Sequence, residues 1–277
     1  MKLVLFQTAS NAEILPGLLT ERGVVDISAA VKKSTTPQLT MQHIIDEFEQ
    51  LRPTLEKLGR EGKAIPSEQI RLRPPLPRPG KILCCIANYW EHAQRDARPL
   101  NMFMKNPDAV IGPGDTIMLP EFTVPWIFMH EAELALVIKG PAKMMKAKNW
   151  KKAVFGYTAL IDVSAREQGR KTWPANPLTS WLGKSFDTFA PIGPCIATAD
   201  EIDEPNDLIA CGTNHEGLGA LQDGEKVEIE IQNIGKMSVT VADPLKRKWQ
   251  RGVYMGADST NPEAVKRHRP QGEPLPP

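Results

Sequence analysis

Apolar and polar residues alternate with a period of two along much of this chain, and a helical period shows in one region. From Phe128 to Ile138 the order is Phe-Met-His-Glu-Ala-Glu-Leu-Ala-Leu-Val-Ile, an alternating, aliphatic-rich run that predicts a β-strand. Gly156 to Ser164, largely apolar around Asp162, predicts another. Val227-Glu228-Ile229-Glu230-Ile231 alternates cleanly and predicts an amphipathic strand. Shorter strands are expected at Met1–Phe6, Gly23–Ile27 and Ile82–Ala87. Between Thr40 and Leu58, six apolar residues (Ile44, Ile45, Phe48, Leu51, Leu55 and Leu58) recur at helical spacing, interrupted by Pro53. Turn chemistry at Gly112-Pro113-Gly114-Asp115, Pro191-Ile192-Gly193-Pro194 and Asp223-Gly224-Glu225 predicts breaks between strands.

These elements divide the chain. Residues 1–72 read as a small α/β domain, and 73–80 as a stiff linker built on Pro74-Pro75-Leu76-Pro77-Arg78-Pro79-Gly80. Residues 81–244 read as a larger unit of short strands, and 245–277 as a tail. From Asn261 onward that tail is Pro-rich and charged, so partial disorder is expected. The predicted class is α+β, mainly β. A length of 277 residues accommodates one large domain with a smaller one beside it.

Strand parity brings out the first chemistry. Glu131 and Glu133 are two residues apart and point to one face of their strand, with Ala132, Leu134 and Leu136 on the other. Adjacent carboxylates repel, and burying them is unfavourable unless a cation joins them. Asp162, isolated in an apolar run, is a third carboxylate that must be paired, hydrogen-bonded or on a metal. Three carboxylates without a nearby Cys or His cluster favour Mg²⁺, Mn²⁺ or Ca²⁺ over zinc. The competing reading is a solvated strand face for the glutamates and a paired structural role for Asp162.

Charge and cysteine content narrow the remainder. Thirty-four basic against 33 acidic side chains leave a net charge of +1, which predicts no nucleic-acid partner and no membrane partner. Lys143, Lys146, Lys148, Lys151 and Lys152, with Trp150 among them, read as a solvated helical face. Cys84, Cys85, Cys195 and Cys211 lack C-x-x-C spacing and read as free thiols in a reducing compartment. No stretch approaches 18 apolar residues and no secretory leader is evident, so a soluble, cytoplasmic protein is expected.

Three further segments are candidates. His92 follows the Cys84-Cys85 strand in Asn88-Tyr89-Trp90-Glu91-His92, where a general base or a plain surface histidine can sit. Lys184, in Gly183-Lys184-Ser185-Phe186-Asp187, can stabilise an oxyanion or simply face solvent, and the segment lacks phosphate-loop spacing. Cys211-Gly212-Thr213-Asn214-His215-Glu216-Gly217 is a glycine-rich turn able to bind a carboxylate, without dinucleotide-fold spacing; His215 reads as a loop residue.

Taken in order, Asn88-Tyr89…His92, Ile111-Gly112-Pro113-Gly114-Asp115, Glu131-Ala132-Glu133-Leu134, Asp162-Val163-Ser164-Ala165-Arg166, Gly183-Lys184-Ser185-Phe186-Asp187 and Gly212-Thr213 strongly resemble the fumarylacetoacetate hydrolase family from Lys81 to Asp243. That resemblance implies mixed β-sheets rolled into a barrel-like sandwich, a homodimer, and Mg²⁺ or Mn²⁺ on Glu131, Glu133 and Asp162. It implies a small oxo acid as substrate, Lys184 sharing enolate charge, His92 activating water or moving a proton, and Arg166 and Thr213 orienting the substrate. The activity implied is hydrolysis of a C–C bond in an acylpyruvate-like diketo acid. Oxaloacetate decarboxylation, hydration or isomerisation on the same scaffold, or a non-catalytic scaffold, are the alternatives. Two departures stand out. Arg95 occupies the position where many family members place a glutamate that orients the histidine. Several family strands also have no counterpart between Leu208 and Ile209, which predicts omitted or lost residues there.

Overall fold

The computed structural model describes residues 1–8, 13–86, 101–121, 126–167, 183–202, 213, 217–256 and 261–268. In chain order the strands are β1 (Lys2–Gln7), β2 (Leu15–Thr20), β3 (Gly23–Asp26), β4 (Ala64–Ile65), β5 (Arg71–Arg73), β6 (Ile82–Cys85) and β7 (Met102–Lys105). They continue with β8 (Val110–Ile111), β9 (Thr116–Met118), β10 (Trp126–Ile138), β11 (Val154–Glu167), β12 (Ala190–Thr198), β13 (Lys226–Ile231) and β14 (Gly235–Ala242). Helices α1 (Pro37–Asp46) and α2 (Phe48–Glu61) follow β3, and α3 (Pro262–His268) lies near the end.

A nine-stranded sheet runs in the order β10-β11-β12-β1-β2-β3-β4, with β5 on β1 and β8 on β12. A three-stranded sheet, β13-β14-β9, and a two-stranded ribbon, β6-β7, complete the set. Both are open sheets in a mainly β molecule, as the alternating pattern predicts. The first strand is buried on both faces. Leu3 and Leu5 pack with Met41, Ile44, Phe48 and Leu55 of the two helices, while Val4 and Phe6 pack with Cys195, Ala197 and Ile234 on the opposite side. A second core lies between Ala159, Ile161 and Val163 of β11 and Val227, Ile229, Val239 and Val241 of β13 and β14. Outward and inward residues of β11 therefore have opposite fates, and the side turned away from this core carries the chemistry.

Two expectations shift. The helical region breaks at Glu47 and not at Pro53, which lies inside α2. Thr36 caps α1, with Pro37 in its first turn, and Glu47 both closes α1 onto His43 O and accepts the first N–H bonds of α2. The bend keeps the apolar residues of both helices on the sheet. Pro191-Ile192-Gly193-Pro194 is a fully buried part of β12, not a turn. The register with β11 slips between Tyr157 and Ala159, and Gly193 at φ 152° occupies that irregularity, in a backbone region that side chains disfavour. Helix α3 lies within the Pro-rich end. Among the described residues no helix is long and apolar enough to cross a membrane.

Candidate metal centre

The site begins with a register. β10 and β11 pair antiparallel with Glu131 opposite Asp162 and Glu133 opposite Leu160. Directly opposed residues share a face of the sheet, so Glu131 and Asp162 point the same way, and Glu133 joins them from two residues along. All three are buried. One oxygen from each lies within 4.8 Å of the other two. Like charges opposed across a ladder are destabilising, so this pairing requires neighbouring cations.

Two lysines answer part of that requirement. Lys184 sits in the turn leading to β12, where Gly183 O accepts the Ala165 N–H at 2.7 Å. Its ammonium is 2.8 Å from Glu131 Oε2 and 2.6 Å from Asp162 Oδ2, and lies 5.3 Å from the centre of the Phe103 ring. Lys105, at the end of β7, is completely enclosed. It donates to Asp162 Oδ1 at 2.5 Å, to Val163 O at 3.3 Å and to the Lys184 carbonyl. Ser164 Oγ donates to Glu131 Oε1 at 2.8 Å. Lys105 thus fixes both the Asp162 carboxylate and the backbone that carries Lys184.

Among the described residues three carboxyl groups face two ammonium groups, and neither ammonium forms an ion pair with Glu133. Burial, reinforced by the charges of Asp162 and Glu131, pushes the Glu133 carboxyl up to about 8. Burial also raises the Cys84 thiol, helped by Asp162 and Glu133, so this cysteine stays protonated and inert. An all-oxygen donor set whose third carboxyl gains its charge at neutral pH only beside an added cation suits a hard divalent ion, and that fit rests on these residues alone. The solvated-face reading of Glu131 and Glu133 does not hold, and Lys184 is not a solvent lysine.

Of the seven candidate residues, the geometry unites Glu131, Glu133, Asp162 and Lys184. Thr213 is half-buried outside any helix or strand. The Arg166 backbone lies in β11 opposite Ile127, while its side chain lies outside the described residues. His92, Arg95 and the Leu208-Ile209 junction also lie outside them. Lys105 is the residue that sequence reasoning missed. Its faint signal is parity: Phe103 and Lys105 pair with Cys84 and Ile82 on the inner face of the ribbon, and Met102 and Met104 are exposed on the outer one.

A family model described as fumarylacetoacetate (FAA) hydrolase C-terminal matches residues 81–208. The mitochondrial oxaloacetate tautomerase of Bos taurus is 34% identical over 230 residues, covering 78% of this chain and 69% of that protein. One from Xenopus laevis is 33% identical over 226 residues, covering 77% and 67%. Maleylpyruvate hydrolase from Sphingobium sp. SYK-6, solved in complex with manganese(II) ion and pyruvate, matches with a TM-score of 0.73 at 28% identity. It covers 88% of this chain and 99% of that one, and the mainly β architecture is common to both.

Proposed function

Because the chain belongs to the fumarylacetoacetate hydrolase family, we propose that it is a divalent-metal-dependent enzyme that hydrolyses a C–C bond in a small diketo acid. The observation carrying this reading is the buried Glu131/Glu133/Asp162 cluster, two of whose members share Lys184. When bound by those three carboxylates, Mg²⁺ or Mn²⁺ supplies Lewis acidity that draws electron density from the oxygens of a 2-oxo acid.

The chain's own groups do the rest. Lys184 turns an ammonium proton toward the oxygen on which enolate charge grows, and a preorganised donor of this kind is worth about 3–4 kcal/mol. Lys105 holds Asp162 and the Lys184 turn in place, acting through them and not on the substrate. His92 takes a proton from water; the hydroxyl adds to the distal carbonyl, the C–C bond breaks, and its electron pair leaves as the enolate, which is protonated on carbon. Arg166 and Thr213 orient the substrate carboxylate. The enclosed side of β10 and β11 excludes bulk water, which strengthens each of these charges. The free thiols Cys84, Cys85 and Cys195 suit a reducing compartment, and the homodimer implied by the family resemblance belongs to the same proposal.

A second reading is favoured by one observation: the relatives more than 30% identical include proteins named as oxaloacetate tautomerases. The same cluster would then stabilise the enolate through which keto and enol forms exchange, with a C–H bond broken and remade and no C–C bond broken. The test is to incubate the Mn²⁺-supplemented protein with an acylpyruvate and with oxaloacetate and to identify the products. Two carboxylic acid fragments from the acylpyruvate support hydrolysis. Accelerated keto–enol exchange of oxaloacetate without fragments supports the second reading. Full turnover in the presence of a chelator, or by Glu131→Ala, overturns both.

A further inference from the structure

The connection between β10 and β11 has no role in the chemistry above. From Ile138 to Ala153 it contains six lysines, at 139, 143, 146, 148, 151 and 152, and no acidic residue. The chain-wide net charge of +1 conceals this local excess. Lys139 lies 3.9 Å from Glu49 and Lys151 lies over the Trp150 ring at 5.9 Å; the lysines from 143 to 152 are all exposed.

Ala147–Lys152 is a 3-10 turn, not an α-helix. Three residues per turn eclipse positions i and i+3. Ala147, Trp150 and Ala153 therefore form one row, flanked by Lys146, Asn149 and Lys152 on one side and by Lys148 and Lys151 on the other. The apolar row lines an open cleft of about 240 Å³, closed on its far side by Leu136, Ile138 and Val154. Apolar side chains here are open to solvent: Met144, outside the lining, is 94% exposed, and Ile138, Met145 and Trp150 of the lining are 53%, 40% and 37% exposed.

We propose that this lysine-flanked face docks on the surface of an anionic lipid bilayer. Polybasic segments are drawn to anionic headgroups, and Trp and aliphatic side chains settle at the boundary with the acyl chains while lysines reach back to the phosphates. Charge complementarity alone also suits an acidic peptide. The bilayer is favoured because Met144 protrudes beyond the cleft, where a peptide seated in the groove leaves it in water and an acyl layer covers it. Docking at an interface requires no membrane-spanning helix, and it is independent of the metal centre.

The test is cosedimentation of the full chain with vesicles of phosphatidylcholine alone or with about one third phosphatidylglycerol. Binding is expected only to the anionic vesicles, with release as salt is raised. The triple variant Lys146→Glu/Lys148→Glu/Lys152→Glu should lose about tenfold or more in vesicle affinity. Met144→Asp, at an almost fully exposed position, should weaken it without affecting the fold, as checked by circular dichroism. Oxo-acid turnover should be unchanged in both variants. Equal binding to both vesicle types, undiminished binding by the triple variant, or capture of poly-glutamate with no vesicle binding overturns the proposal.

Discussion

Glu133 is the carboxyl group that forms no ion pair with Lys105 or Lys184 among the described residues, and its position sets function against stability. Glu133→Gln keeps the shape and removes a carboxyl that burial and its acidic neighbours push up to about 8. In chelator above that pH, where the parent's carboxyl is ionised, the variant should be about 1 kcal/mol more stable, while the rise in Tm that Mn²⁺ gives the parent by mass action is lost. Thermal unfolding with and without Mn²⁺ checks both signs, and a variant less stable in chelator contradicts the charge argument. Lys105→Met does the reverse, leaving Asp162 with a buried acceptor unmatched; a loss of about 3–5 kcal/mol is expected in denaturant titration. Lys184→Met should fold and bind metal yet lower kcat by about 10²–10³-fold, read from steady-state kinetics. The three carboxylates were legible because strand parity and an acid stranded among apolar residues are both local signals. Lys105 was not, because its contacts lie with residues 57 and 79 positions away and nothing in a four-residue strand separates an enclosed lysine from a solvated one.

Among the elements, the β10–β11 hairpin carries the site because its register is fixed over 13 and 14 residues; slipping it by one residue would turn every carboxylate into the opposite core. The long strands were readable from their alternation. The slip at Gly193 was not, since it arises from how β12 meets β11, and a Pro-Ile-Gly-Pro sequence is normally turn chemistry. Helix α2 is tied to the segment after β12 by Arg52, 2.8 Å from Asp200. Burial alone raises the Asp200 carboxyl, but hydrogen bonds from Arg52 and Thr198 outweigh it and bring it from 3.8 down to about 2. A depressed folded pKa stabilises above the unfolded value, so this contribution is intact above pH 4 and fades as pH falls from 3.8 toward about 2. Because Asp200 is half exposed, Asp200→Asn should cost under about 1 kcal/mol at neutral pH. That difference should vanish in acid; a pH series of unfolding midpoints tests it.

At the scale of the whole molecule, one sheet joins the first strand to the chemistry. Leu3 pairs with Ile196 of β12, and β12 pairs in turn with β11. Leu5 is fully buried, and Leu5→Ala should lower stability by about 2–5 kcal/mol in a transition that carries the metal-dependent Tm shift with it; two separate transitions would show that the strands unfold apart. That pairing was invisible in the sequence, because any apolar strand can meet any other and the choice is made by core shape between residues 3 and 196. The mainly β class, by contrast, needed only the period of two. The hairpin also has an end where change is tolerated. Five residues at about 3.4 Å each separate Glu133 from Ile138, so the turnaround begins about 17 Å from the nearest carboxylate. An immobilising tag, a reporter dye or new chain termini placed at Met144 would therefore sit at the far tip of a rigid lever, within reach of a support and out of reach of the reacting groups.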